Sequence, residues 1–165
     1  MAIVVHEATI IGVDNFIRVG STGAIGQGIE CGDLIISSAA VRLDGASQGY
    51  ILPEYPAHAN YEVLMALIEA AEGLEVLYHV GINATTDDFY AGQQKLSPHT
   101  SLPLVTHSLI RNLQKANVFN FDIKYATLFT LSTFFNNRAG TVCAVYANWM
   151  RARRLCEGSR GRTEG

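Results

Sequence analysis

Charge is scarce in this 165-residue chain: Asp, Glu, Lys and Arg make up 16% of it, against roughly 25% in an average globular protein. Hydrophobic residues reach 48%, so the composition argues against disorder, which needs low hydrophobicity and high charge. Cysteine is scarce too. Cys31, Cys143 and Cys156 are far apart and form no C-x-x-C pair, which argues against a structural zinc site. An odd count with no secretory signal points to free thiols in a reducing, cytoplasmic compartment. No basic stretch precedes the apolar run at the N-terminus, so it does not read as a secretory signal. No apolar run approaches the roughly 20 residues of a membrane span.

What is present fits one domain, since domains cluster at roughly 100–150 residues. A chain of this length can bury a core without a disulfide or metal staple. Charge is unevenly spread. Residues 1–149 hold seven Lys/Arg against thirteen Asp/Glu, whereas residues 150–165 hold five Arg against two Glu. The division expected is a folded core over 1–149 and a basic, disordered tail over 150–165; a nucleic-acid arm is the other reading of that tail.

Pattern and punctuation predict an amphipathic helix over 2–13, a short buried strand over 15–20 and a glycine-rich turn over 21–28. A second strand over 33–41 leads into a loop over 43–59. Asn60 reads as the N-cap of a helix over 60–71 that Gly73 would end. A strand over 75–83, a long loop to about 102, helices over 103–116 and 122–135, and a strand over 140–146 follow. That order predicts an α/β fold with a mixed sheet covered by helices.

Three segments carry candidate chemistry. Arg18 lies inside an apolar strand, and a buried arginine needs a partner because it cannot lose its charge. Its fork can hold a phosphate, and Gly20-Ser21-Thr22-Gly23 would add backbone N–H groups and hydroxyls at a strand end. A structural arginine–carboxylate pair is the other reading. Asp88-Phe89-Tyr90-Ala91-Gly92-Gln93-Gln94-Lys95 could stack on and hydrogen-bond a planar base, or simply be a surface loop anchored by Phe89. Asp122 at a helix start reads first as dipole compensation. His6, His58, His79, His99 and His107 show no ligand spacing, so no metal is expected.

Seven short segments, in order, resemble the nucleoside phosphorylase superfamily, and within it the uridine phosphorylase branch. They are residues 16–25 (FIRVGSTGAI), 32–36 (GDLII), 40–47 (AVRLDGAS), 55–57 (YPA), 78–82 (YHVGI), 88–93 (DFYAGQ) and 120–128 (NFDIKYATL). The resemblance implies a three-layer fold with a central mixed sheet flanked by helices, here incomplete. It implies phosphorolysis of uridine to uracil and ribose 1-phosphate, with phosphate as co-substrate and no metal or organic cofactor. Arg18 and Ser21 would hold phosphate. Thr22, Gly23, Phe89, Gln93 and Lys95 would line the base, and Asp122, Ile123 and Lys124 the ribose. Arg18, Gln93 and Lys95 would carry the catalysis. A homodimer or hexamer is implied, with no nucleic acid and no membrane as partner.

Departures from the family pattern set the alternatives. Lys95 stands where the family has arginine, trading a fork for a point charge. Lys124 stands where a ribose-binding glutamate is expected, and an ammonium can only donate. The match fails from Trp149 onward. A Gly-x-Pro-x-Arg phosphate loop, expected upstream of Arg18, does not occur, so the chain reads as truncated at its N-terminus. A catalytically impaired or inactive remnant is therefore one alternative. A purine nucleoside phosphorylase is the other, although Val145-Tyr146-Ala147-Asn148 lacks the aspartate those enzymes use on the purine.

Overall fold

The computed structural model describes residues 1–90, 92–93 and 108–148, together with the backbone of 154–155. In chain order the elements are α1 (Ala2–Ile10), β1 (Asn15–Ala24), β2 (Leu34–Leu43), α2 (Gly45–Gln48), β3 (Ala57–His58), α3 (Tyr61–Gly73), β4 (Tyr78–Thr86), α4 (Leu109–Lys115), β5 (Val118–Asp122), α5 (Tyr125–Phe134), β6 (Arg138–Asn148) and β7 (Arg154–Leu155).

The sheet is mixed, in the order β3-β2-β4-β5-β1-β6-β7. β1 runs parallel to β6 and antiparallel to β5; β4 is parallel to both β2 and β5. An additional antiparallel pairing of Leu34–Ile36 with Val142–Ala144 joins β2 to β6 and closes β2, β4, β5, β1 and β6 into a ring. Register shifts at Thr22/Gly23, Ser37/Ala39 and Ile82/Asn83 interrupt the ladders. Such bulges bend strands and increase twist, which is what closing so few strands requires.

Helices cover both faces. Alternate residues of a strand point to opposite sides. On β6 a Cβ at Gly140 would lie 2.5 Å from Val63 of α3, while Ala139 and Cys143 pack in one cluster with Tyr125 and Phe129 of α5. The expected three-layer arrangement with a mixed sheet is thus the one observed. α5 is buried nearly all round from Tyr125 to Ser132, as a helix without a polar face must be.

Several sequence expectations are corrected. The turn expected at 21–28 is strand as far as Ala24, because residues 21–24 pair with β6 and Gly23 and Ala24 also pair with β5. Asp122 ends strand β5 rather than opening a helix, and α5 begins at Tyr125. β1 is not a buried strand: Ile17 is 57% and Val19 76% exposed. Nor does α1 bury an apolar face. Ile3, Val4 and Ile10 are exposed and Val5 is its one buried residue, since consecutive helical positions point about 100° apart. Asn60 does cap α3, accepting from the Val63 N–H at 3.2 Å. Gly73 remains helical, however, and the left-handed position falls at Glu75. The loop expected over 43–59 contains α2 and β3. Cys31 is disulfide-bonded, against the expectation of free thiols.

Candidate active site

Arg18 reaches along β1 to the end of β5. Its Nη2 lies 3.0 Å from Asp122 Oδ2, and both side chains are largely removed from solvent. Nη1 donates to Cys143 Sγ at 2.7 Å and to the Tyr125 hydroxyl at 3.3 Å. The guanidinium also lies 4.9 Å from the centre of the Tyr125 ring, a cation–π distance. Four elements therefore build this cluster: β1, β5, α5 and β6. Gly20 makes it possible. It shares Arg18's face of β1, and a Cβ there would stand 3.1 Å from Nη1.

The electrostatics follow from burial and pairing. Burial pulls the Arg18 guanidinium down, but the Asp122 carboxylate, then Cys143 and Tyr125, outweigh it and leave the group above its ordinary value. Burial pushes the Asp122 carboxyl up, and Arg18 offsets only part of that. The Cys143 thiol and the Tyr125 phenol are both raised, chiefly by burial. Arg18 is the permanent cation of the cluster. Asp122 Oδ1 is buried with no hydrogen-bond partner among the described residues.

A polar network backs the pair. Thr22 donates to the Phe121 carbonyl at 2.7 Å and accepts from Asn120 Nδ2 at 2.8 Å. Asn83 Nδ2 donates to the Asn120 carbonyl. Thr85, the register partner of Asp122, donates to Asn83 Oδ1 and accepts from the Ala126 N–H at 2.9 Å. This fixes the start of α5 against the end of β4.

Beyond Thr86 the chain enters the segment expected to read a base. Asp88 clamps it: its Oδ1 accepts from Tyr90 N at 2.6 Å and its Oδ2 from Gly92 N at 2.7 Å. Phe89 is half exposed and packs edge-on against Tyr90, with centroids 5.5 Å apart. Gln93 is buried. Arg42 organises a second loop, donating to the carbonyls of Ile51, Leu52, Pro53 and Tyr55 and to Ser47 Oγ. Asp44 accepts from the Ser47 N–H and hydroxyl and from the Thr127 hydroxyl. The matched segments 40–47 and 55–57 thus serve as scaffold around α2.

Of the residues singled out in the sequence, Arg18 and Asp122 are brought into contact. Thr22 joins the network behind them through its bonds to Asn120 and Phe121. Ser21 is exposed and, by the two-residue period of β1, projects opposite to Arg18. Gly20–Gly23 are extended strand paired with β6, not the turn that the expected anion nest requires. Gly23 sits at the β1 bulge, and Ile123 and Lys124 are half-buried between β5 and α5. Lys95 lies outside the described residues. Sequence reasoning missed Gly20, Tyr125 and Cys143 as partners of Arg18. The period of two would have pointed to Gly20; nothing local marks Cys143, 125 residues away.

A closed mixed sheet layered by helices, with a largely buried arginine–carboxylate pair between β1 and the end of β5, defines an α/β protein with an internal ion pair. Residues 1–154 match the phosphorylase superfamily, and the chain belongs to it. It is 54% identical over 147 residues to a uridine phosphorylase of Thermococcus kodakarensis, covering 89% of this chain and 53% of that protein. It is 38% identical over 149 residues to a uridine phosphorylase of Escherichia coli, covering 89% and 58%. A guanosine phosphorylase of Halorubrum lacusprofundi is 31% identical over 147 residues, covering 89% and 56%. The chain thus spans little more than half the length of these relatives. Among the described residues no cluster of side chains could hold a metal ion, and no helix is long and apolar enough to cross a membrane.

Proposed function

We propose that this chain handles phosphate and a pyrimidine nucleoside in the phosphorolysis of uridine to uracil and ribose 1-phosphate. The observation that carries the reading is the similarity to uridine phosphorylases at 54% identity, against 31% for the guanosine phosphorylase. Arg18 is the phosphate ligand, with Ser21 beside it in sequence. Thr22, Gly23, Phe89, Gln93 and Lys95 serve the base, and Asp122, Ile123 and Lys124 the ribose. As the glycosidic bond breaks, C1′ gains oxocarbenium character. An anion held by Arg18 stabilises that charge, and donors to the pyrimidine carbonyls stabilise the leaving base. Phosphate is the co-substrate, with no metal or organic cofactor; the setting is cytoplasmic and the protein a homo-oligomer.

A second reading is favoured by Lys124. Where a ribose diol needs an acceptor, the ammonium can only donate, and the lost charged hydrogen bond is worth about 1.5–3 kcal/mol. On that reading the chain is an impaired or inactive member of the family. One assay separates the readings: incubate the purified chain with uridine, with and without phosphate, and follow free uracil. Phosphate-dependent release supports uridine phosphorolysis, and its absence supports the inactive member. Release of hypoxanthine from inosine instead would overturn the pyrimidine assignment.

A further inference from the structure

Three of the five N–H donors of the Arg18 guanidinium are already engaged. The side chains of Arg18 and Asp122 are 15% and 5% exposed. Nη1 is engaged by Cys143 and Tyr125, and Nη2 by Asp122. The Tyr125 ring lies against the guanidinium. A phosphate arriving here meets a carboxylate already in place, and like charges a few ångströms apart at a buried site repel strongly.

We infer that Asp122 is an internal competitor for the anion site, so that Arg18 holds phosphate only when Asp122 releases Nη2. This rests on the phosphorolytic reading of Arg18. It goes beyond that reading in making the carboxylate a determinant of phosphate affinity. Two further observations support it. The second carboxylate oxygen, Oδ1, is buried with no hydrogen-bond partner among the described residues, so besides Arg18 only the backbone N–H groups of Lys124 and Tyr125 hold the carboxylate. Asp122 is also the last residue of β5, just before the two-residue step into α5. Lys124 on that step also attracts the carboxylate and offers it a counter-charge once Arg18 is taken.

The test titrates inorganic phosphate, without nucleoside, into the 165-residue chain and into its Asp122→Asn and Arg18→Gln variants by calorimetry. The amide introduced by Asp122→Asn keeps an acceptor for Nη2 but removes the charge. This variant is expected to bind phosphate roughly tenfold or more tightly than the parent, and Arg18→Gln to lose binding. If Asp122→Asn binds no tighter while Arg18→Gln loses binding, the competition is overturned and the phosphate reading stands. If Arg18→Gln binds as well as the parent, or no form binds, the phosphate reading itself falls. Should Asp122→Asn fail to fold, the parent decides. Its Asp122 carboxyl carbon resonance is expected to move as phosphate is added, and a signal unmoved at saturating phosphate overturns the competition.

Discussion

The guanidinium of Arg18 lies in the space that Gly20 leaves open: a Cβ at Gly20 would stand 3.1 Å from Nη1 and 3.3 Å from Nη2. The two residues share one face of β1, so any side chain at position 20 competes with the path from Arg18 to Asp122. Gly20→Ala is expected to fold but to lose about 1–3 kcal/mol, the usual range for overpacking. It should also strengthen phosphate binding, because the fork is pushed off Asp122, its competitor for the anion. Urea denaturation and phosphate titration check both effects, and unchanged values in both would contradict the packing described.

Removing the other side of the pair has a pH signature. Burial holds the Asp122 carboxyl above its ordinary value even beside Arg18. Just above the ordinary carboxylate value, the native protein therefore keeps a proton that the unfolded chain has lost. Asp122's contribution to stability falls as pH rises through that interval. Arg18→Met removes the group that pulls the value down, so the interval widens upward. The variant is expected to lose about 3–5 kcal/mol near neutral pH, as when a buried pair loses one partner. It should lose less in mild acid, where Asp122 is protonated. Denaturation at the two pH values checks this, and equal losses would contradict it.

Asp88 holds Tyr90 and Gly92 by their backbone N–H groups, and so sets the segment bearing Phe89 and Gln93. If that segment reads the pyrimidine, Asp88→Ala should raise KM for uridine several-fold, on the order of tenfold, with kcat changed less. Asp88→Asn keeps one acceptor oxygen and should fall between. Steady-state kinetics with uridine are the measurement. An equal fall in kcat with KM unchanged would place Asp88 elsewhere in the reaction.

Lys124 supplies a test of the ribose assignment. Lys124→Glu replaces three donors by two acceptor oxygens. Gaining one charge-assisted hydrogen bond should tighten uridine binding roughly tenfold or more. Uracil, which has no ribose, should bind unchanged. Equal gains for uridine and uracil would show that residue 124 does not face the sugar.

Much of the scaffold was legible. Asn60 announced α3 because an Asn cap and the apolar periodicity behind it act within one helical turn. β2 and β4 were legible from their β-branched runs. The anomaly of Arg18 within an apolar strand was also legible, and so was its alternative as a carboxylate pair, which is the contact observed. The identity of the carboxylate was not, because Asp122 was read on a helix. Val118-Phe119-Asn120-Phe121-Asp122 is only five residues long, and its strand character comes from pairing with β4 and β1. Gly20 to Gly23 have turn-forming local preferences, and neighbouring strands overrode them. Local preference is informative where one element decides its own structure; here two neighbours decided it together.

The closure of the ring by β6 has a consequence for how the protein is made. β6 pairs with both β1 and β2, yet its Cys143 follows Arg18 by 125 residues. On the ribosome, β1 and β2 must wait without this common partner until residues 138–148 emerge. Such distant pairings make folding slow and leave apolar strands open to misassembly meanwhile. The Arg18 cluster is thus completed only once β6 has emerged, and its assembly reports that the ring of strands has closed.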